Sequence, residues 1–221
     1  MTNKKMLASW ANAVLFTILI KLSSLTKISF IVGSSLAFFS AVSIITPLAG
    51  AFGGISGSLL TFGIVGLLRW FLTASLPWYF LAYHIPGLFA SLFWATSSRI
   101  KGVPAFCCIV LFLLHPVGVQ AALYTLFWLI PLVITISKKE TLFARALGST
   151  FTAHAVGTVI WLYTKSMNPD IFLMLIPVVI IERVLFASGM VVAYYGIARL
   201  ITGYKQRNTL WTKIIAKVAH Y

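Results

Sequence analysis

Acid is what this chain has least of. Of its 221 residues three are Asp or Glu, against 17 Lys and Arg, and charged residues make up 9%. Soluble domains carry about 25% charged residues, so a water-facing globular surface is excluded. The carboxylates are too few for an aspartyl dyad inside a membrane. No His, Cys and carboxylate spacing marks a metal site either, so no catalytic residue, metal or cofactor is expected. Cysteine is equally scarce: Cys107 and Cys108 are adjacent, and neighbouring cysteines rarely close an unstrained disulfide. No Walker sequence for binding ATP is present. The basic start Met1–Lys5 lacks a following small-residue cleavage site, so no removable signal peptide is expected.

Hydrocarbon is what the chain has in excess. Hydrophobic residues make up 60%, and the mean hydropathy is +1.00. The apolar runs are continuous rather than alternating, which excludes a β-barrel. The pattern predicts an all-α, polytopic membrane helix bundle forming a single transmembrane domain over residues 1–221. Crossings need about 20 apolar residues each. Spans are expected at about 28–50, 55–73, 78–97, 103–136, 142–164 and 171–200. A short interfacial helix over 6–25 precedes them, and a basic cytoplasmic tail over 203–221 follows.

The fourth span is too long. Residues 103–136 carry no charge, and as one helix they would extend about 51 Å across a hydrocarbon core of about 30 Å. The run His115-Pro116-Val117-Gly118 is the expected break. With one crossing there and a cytoplasmic N-terminus, the inner side holds Lys4, Lys5, Lys21, Lys27, Lys138, Lys139, Arg145, Arg199 and the tail. The outer side holds Arg99, Lys101 and Lys165. Two crossings would carry the basic tail outside, against the positive-inside rule. A multi-pass protein of the cell membrane, with both termini cytoplasmic, is therefore expected. The excess of positive charge reads as topology, not as nucleic-acid binding. Membrane lipid is the expected partner of Lys205, Arg207, Lys213 and Lys217.

Glu182 and Arg183 stand in the middle of the apolar run 171–200. A charge at the centre of a bilayer costs about 2.5–3.5 kcal/mol on insertion scales, so the pair needs a partner, a cavity or a task. The topology brings His115 and His154 to a similar depth. The expectation is a polar chamber between the last three spans, lined by His115, Gln120, Tyr124, His154, Tyr163, Glu182 and Arg183, that holds a small-molecule solute. Consecutive helical positions diverge by about 100°, so one member of the acid–base pair is expected to be structural. The competing expectation is that Glu182 pairs with a histidine or Arg69 and only ties helices together, as in a non-catalytic assembly subunit. Trp78, Trp94, Trp128 and Trp161 fall near span ends and fit interfacial belts.

One enzyme pattern is present. Gly54-Ile55-Ser56-Gly57 matches the G-x-S-G of rhomboid intramembrane proteases, and Ala153-His154-Ala155-Val156-Gly157 is similar to their histidine helix. A serine–histidine dyad is sufficient for acyl transfer where donors hold the oxyanion. The several spans that precede the serine in rhomboids, one supplying His and Asn, are missing. A serine hydrolase with Ser56 and His154 is therefore the alternative rather than the main expectation.

In span one, Ala37 and Ala41 form a small-xxx-small pair, which lets a second helix approach closely in lipid. With this pair, the hydrophobicity, the span count and the segment Pro47–Ser58, the chain resembles the substrate-binding S components of energy-coupling-factor transporters. That resemblance implies a substrate-capture subunit of a vitamin or nutrient importer. It implies that Ala37 and Ala41 dock a transmembrane coupling subunit, that the segment Pro47–Ser58 closes over the solute, and that partner ATPases supply the energy.

Overall fold

The computed structural model describes residues 3–30, 38–137 and 139–218. The chain is helical apart from one short hairpin of strands. Helix α1 (Asn3–Ser23) leads into β1 (Lys27–Phe30) and β2 (Phe38–Ser40), which pair antiparallel. Helices α2 (Val42–Ile45), α3 (Leu48–Thr73) and α4 (Trp78–Ala95) follow. Next come α5 (Val103–Leu114), α6 (Pro116–Gln120), a 3-10 segment over Ala122–Trp128, and α7 (Leu129–Ile136). Helices α8 (Leu142–Thr164) and α9 (Pro169–Val218) complete the chain. Two segments among the described residues are long and apolar enough to cross a membrane, Leu48–Thr73 and Pro169–Gly203.

Prolines open α4, α5, α6 and α9, where their missing N–H costs nothing. Thr141 caps α8, its hydroxyl accepting from the Ala144 N–H at 3.1 Å. Asn168 turns the chain into α9, its side-chain oxygen accepting from the Asp170 N–H at 3.0 Å.

Helix α4 lies between α3 and α8. Close backbone approach is built in on the first side: a Cβ on Gly50 would stand 1.8 Å from the Ser91 carbonyl oxygen. On the other side the Ser149 hydroxyl donates to the Ala90 carbonyl at 3.0 Å. Two buried cores result. One gathers Phe112, Tyr124, Trp128, Phe151 and Phe172 around α8. The other gathers Phe16, Leu48, Trp94, Ala146 and Met190 at the far end of the bundle.

The region before α3 departs from expectation. The predicted span 28–50 is not a helix but the strand hairpin, α2 and the start of α3. Ile28, Phe30, Phe38 and Phe39 are β-branched or aromatic, residues that suit strands. Ala37 lies outside the described residues. Ala41 sits in a turn ahead of α2, so its expected place on a helical docking face is not found. The predicted covering loop Pro47–Ser58 is largely the first part of α3, interrupted at Gly54, whose φ of 64° only glycine adopts without strain. Helix α1, expected to be interfacial, packs on α3 with Ala13 and Phe16 fully buried. The expected separate tail continues α9 as helix to Val218.

The fourth segment is the main correction. It breaks at His115 as predicted, but it does not run on in one direction. It doubles back as a hairpin whose two ends meet. Lys101, just before α5, pairs with Glu140, just after α7, at 2.7 Å. Glu140 also takes Arg145 of α8 at 2.6 Å. A Cβ on Gly102 would touch Thr135 and Leu132 on the returning arm. At the tip, a Cβ on Gly118 would stand 1.9 Å from the Phe112 carbonyl oxygen, so only glycine lets the chain reverse there. The hairpin reaches the far end of α8, where the Tyr163 hydroxyl donates to the Leu111 carbonyl at 2.8 Å.

Burial pushes the Glu140 carboxyl up, but hydrogen bonds and charge from Arg145 and Lys101 outweigh it and hold the group below its ordinary 4.5. The Lys101 side chain is only 3% exposed and the Arg145 side chain 30%. Removing the acid from the buried lysine should therefore cost more than removing the half-exposed arginine. Glu140→Gln is expected to lower unfolding free energy by about 3 kcal/mol, and Arg145→Gln by about 1 kcal/mol or less, in chemical denaturation of the detergent-solubilised protein. Because the folded-state value is depressed, this stabilisation is complete above pH 4.5 and is lost as pH falls through the lower folded value. Equal effects of the two substitutions would contradict the geometry.

Candidate functional site

The expected chamber separates into two places. At the hairpin tip, the His115 and Tyr163 rings pack edge to face at 5.0 Å. His115 Nδ1 accepts from the Val117 N–H at 3.2 Å and so caps α6. Gln120 is exposed and donates to the Pro116 carbonyl of its own helix at 2.8 Å. These three residues are held in the tip and are not brought to Glu182. The physical reason is the reversal of the fourth segment, which carries its break to the end of the bundle instead of the middle.

The other four expected residues do converge, along one face of α8. Thr150, His154 and Thr158 are spaced four apart, so they stack on one side of the helix over about 12 Å. At one end Arg183 donates to the Thr150 hydroxyl at 3.4 Å. Its other terminal nitrogen reaches Glu182 at 3.2 Å, and its guanidinium lies 4.9 Å from the Phe186 ring centre. Glu182 and Arg183 are 8% and 4% exposed. At the other end of the same face stands Thr158. His154 stands between, with Tyr124 at 5.4 Å and Trp128 and Phe151 each at 6.5 Å between ring centres.

His154 Nε2 and Trp128 Nε1 are buried and have no hydrogen-bond partner among the described residues. Buried polar atoms without partners are rare in native interiors and mark strain, function or a bound group. Tyr124 and Trp128 come from the 3-10 segment of the returning arm. A 3-10 stretch of seven residues is longer than usual and is a common mark of a movable section. The Thr150–His154–Thr158 spacing was present in the sequence. It went unused because threonines four apart are ordinary on apolar helices until their partners are known.

A smaller polar pocket was not anticipated. Thr46, Ser58, Thr61, His84 and Ser91 line a cavity of about 20 Å³ between α1, α3 and α4. The Ser91 hydroxyl bonds Ser58 at 2.8 Å, and Ser58 donates to the Gly54 carbonyl at 2.9 Å. This volume suits one water-sized molecule. It does not border Glu182 or Arg183.

The hydrolase pair is not assembled. Ser56 hydrogen-bonds Ser9 of α1 at 3.2 Å, while His154 sits among the hairpin aromatics beyond α4. No group of three metal-ligating residues occurs among the described residues. Comparison with protein-family models, curated proteins and solved structures finds no match.

The acid–base pair generates a direct test. Arg183→Leu leaves Glu182 buried without its cation and is expected to cost about 3–5 kcal/mol of stability. The double substitution Glu182→Leu with Arg183→Leu removes both charges and should cost less than Arg183→Leu alone. A double variant at least as unstable as the additive sum would show that the two side chains do not compensate one another.

Proposed function

We propose that this chain is a multi-pass membrane protein that binds a small solute along the α8 stripe, between the Glu182–Arg183 pair and Tyr124. The observation that carries the proposal is His154. Its Nε2 is buried without a hydrogen-bond partner among the described residues, one helical turn from Thr150, which holds Arg183, and beside the Tyr124 ring. In a bilayer, such groups are expensive and are kept for ligand or ion pathways. The long 3-10 segment supports an enclosed state from which Tyr124 and Trp128 move to admit solute.

The same proposal includes six crossings: α3, α4, α5, the returning arm through α7, α8 and α9. Helix α1 packs beside α3. Arg99, Lys101, Lys139, Arg145 and Arg199 then fall on the cytoplasmic side with the tail, and Arg69 and Lys165 toward the other, in keeping with the positive-inside rule. Coupling to a transmembrane partner and ATPases, as the S-component resemblance implies, belongs to the proposal as well. Such docking would have to use a surface other than a helical Ala37–Ala41 face.

Two measurements test this. Lys139→Cys and Lys165→Cys, each in a background lacking Cys107 and Cys108, should be labelled from opposite sides of sealed vesicles by a membrane-impermeant maleimide. Labelling from the same side would overturn the six-crossing arrangement. For the site, a thermal-shift screen of amino acids, sugars, nucleobases and vitamins should identify a solute that stabilises the wild type and stabilises His154→Ala at least tenfold more weakly in apparent affinity. That factor corresponds to a single lost hydrogen bond of about 1.4 kcal/mol.

A second reading has its own observation. Glu182 and Arg183 pair at 3.2 Å, and Arg183 also bonds Thr150 of α8. This favours an assembly subunit whose charged pair joins α8 to α9. A screen without any stabilising solute, together with correct insertion and folding, would select this second function.

A further inference from the structure

We propose that the crook of the bend in α3 is a binding site for one water molecule, held by the hydroxyls of Thr46, Ser58, Thr61 and Ser91. The proposal stands on the cavity and the bend around it, and it does not depend on solute binding along α8.

The bend folds the chain back on itself. Gly54 leaves the helical conformation at φ 64° and ψ −162°. In a straight helix Ala49 and Gly57 would lie about 12 Å apart along the axis. Here a Cβ on Gly57 would stand 3.6 Å from the Ala49 carbonyl oxygen. Both arms of the bend reach the same residue of α4. A Cβ on Gly50, before the bend, would collide with the Ser91 carbonyl. Ser58, after the bend, accepts a hydrogen bond from the Ser91 hydroxyl at 2.8 Å. Backbone turned in this way is tolerated at membrane depth only where protein encloses it or where it lines a water-filled cavity.

The crook holds a cavity of the right size. Thr46, Ser58 and Thr61 line it from the two arms, and His84 and Ser91 line it from α4. Its volume is about 20 Å³. One water needs at least about 10–15 Å³ on this measure and two to four polar partners, so there is room for one molecule and not for two. Ser58, Thr61 and Ser91 are 2%, 3% and 2% exposed, which separates the site from bulk solvent.

The hydrogen bonds already made define the occupant. Ser91 gives its hydrogen to Ser58, Ser58 to the Gly54 carbonyl, and Thr61 to the Gly57 carbonyl. What these three oxygens still offer is lone pairs. Thr46 Oγ1 is buried and has no hydrogen-bond partner among the described residues, a rare condition in native interiors. The occupant must therefore donate to lone pairs and accept from Thr46, and water does both. An anion has no hydrogen to donate. A cation would enter a lining that contains no carboxylate, where an unpaired charge is costly.

The test is a crystal structure of the full chain with density that shows ordered water, joined to melting curves of the same protein in detergent. The wild type should show one peak about 2.5–3.0 Å from Thr46 Oγ1 and from at least one of the Ser58, Thr61 and Ser91 oxygens. Thr46→Val keeps the shape without the hydroxyl and should lose the peak. Thr46→Ser keeps the hydroxyl and should keep the peak, with the Ser58–Ser91 bond intact in both variants. The melting temperature should be the same in sodium chloride and in choline chloride. An empty cavity in the wild type, or a peak that survives Thr46→Val, overturns the proposal. A rise in melting temperature specific to sodium overturns it in favour of a bound cation.

Discussion

One carboxylate decides the path of the chain. Glu140 holds Lys101 from one end of the fourth apolar segment and Arg145 from the start of α8. By doing so it brings two points 39 residues apart to the same end of the bundle. Everything between them must go out and return. The return places the 3-10 segment, with Tyr124 and Trp128, against the middle of α8. In a chain with three acids, this carboxylate has no replacement, and the hairpin it closes has no other ion pair among the described residues.

The polar stripe follows from that hairpin. Helix α8 supplies Thr150, His154 and Thr158 at one-turn intervals. Helix α9 fills one end with Arg183, and the returning arm fills the other with Tyr124. The arginine is neutralised within its own helix by Glu182, so the stripe carries paired charge and hydrogen-bonding groups rather than a net ion. An aromatic wall of Phe112, Tyr124, Trp128, Phe151 and Phe172 surrounds it. Such a wall lowers the local dielectric and strengthens each polar contact inside it, while raising the cost of any left unmade. His154 Nε2 is the place where that cost is most visible.

Two departures from expectation offset one another in the topology. A helix over 28–50 was expected and is not formed, and a single passage over 103–136 was expected and is a hairpin. In the proposed bundle the first removes one crossing and the second adds one, which leaves the basic tail on the same side as Arg145. The charge rule constrains only the parity of crossings, so it cannot detect two departures that cancel. It was also applied to Arg99 and Lys101 as outer residues, whereas Lys101 shares Glu140 with the foot of α8.

By itself the sequence determined the helical class, the break at His115, the boundaries near Leu142 and Pro169, and the place of Glu182 and Arg183 within an apolar helix. These depend on local quantities: apolar run length, proline and glycine chemistry, and the cost of charge in hydrocarbon. Only the tertiary structure decided that the fourth segment reverses, that His115, Gln120 and Tyr163 part from His154, and that Arg183 meets Thr150 while Tyr124 packs on His154. Those outcomes depend on which distant groups meet. An ion pair between Lys101 and Glu140, or the passage of Gly118 beside the Phe112 carbonyl, leaves no periodic trace in the chain, because the residues concerned interact across space and not along one helix.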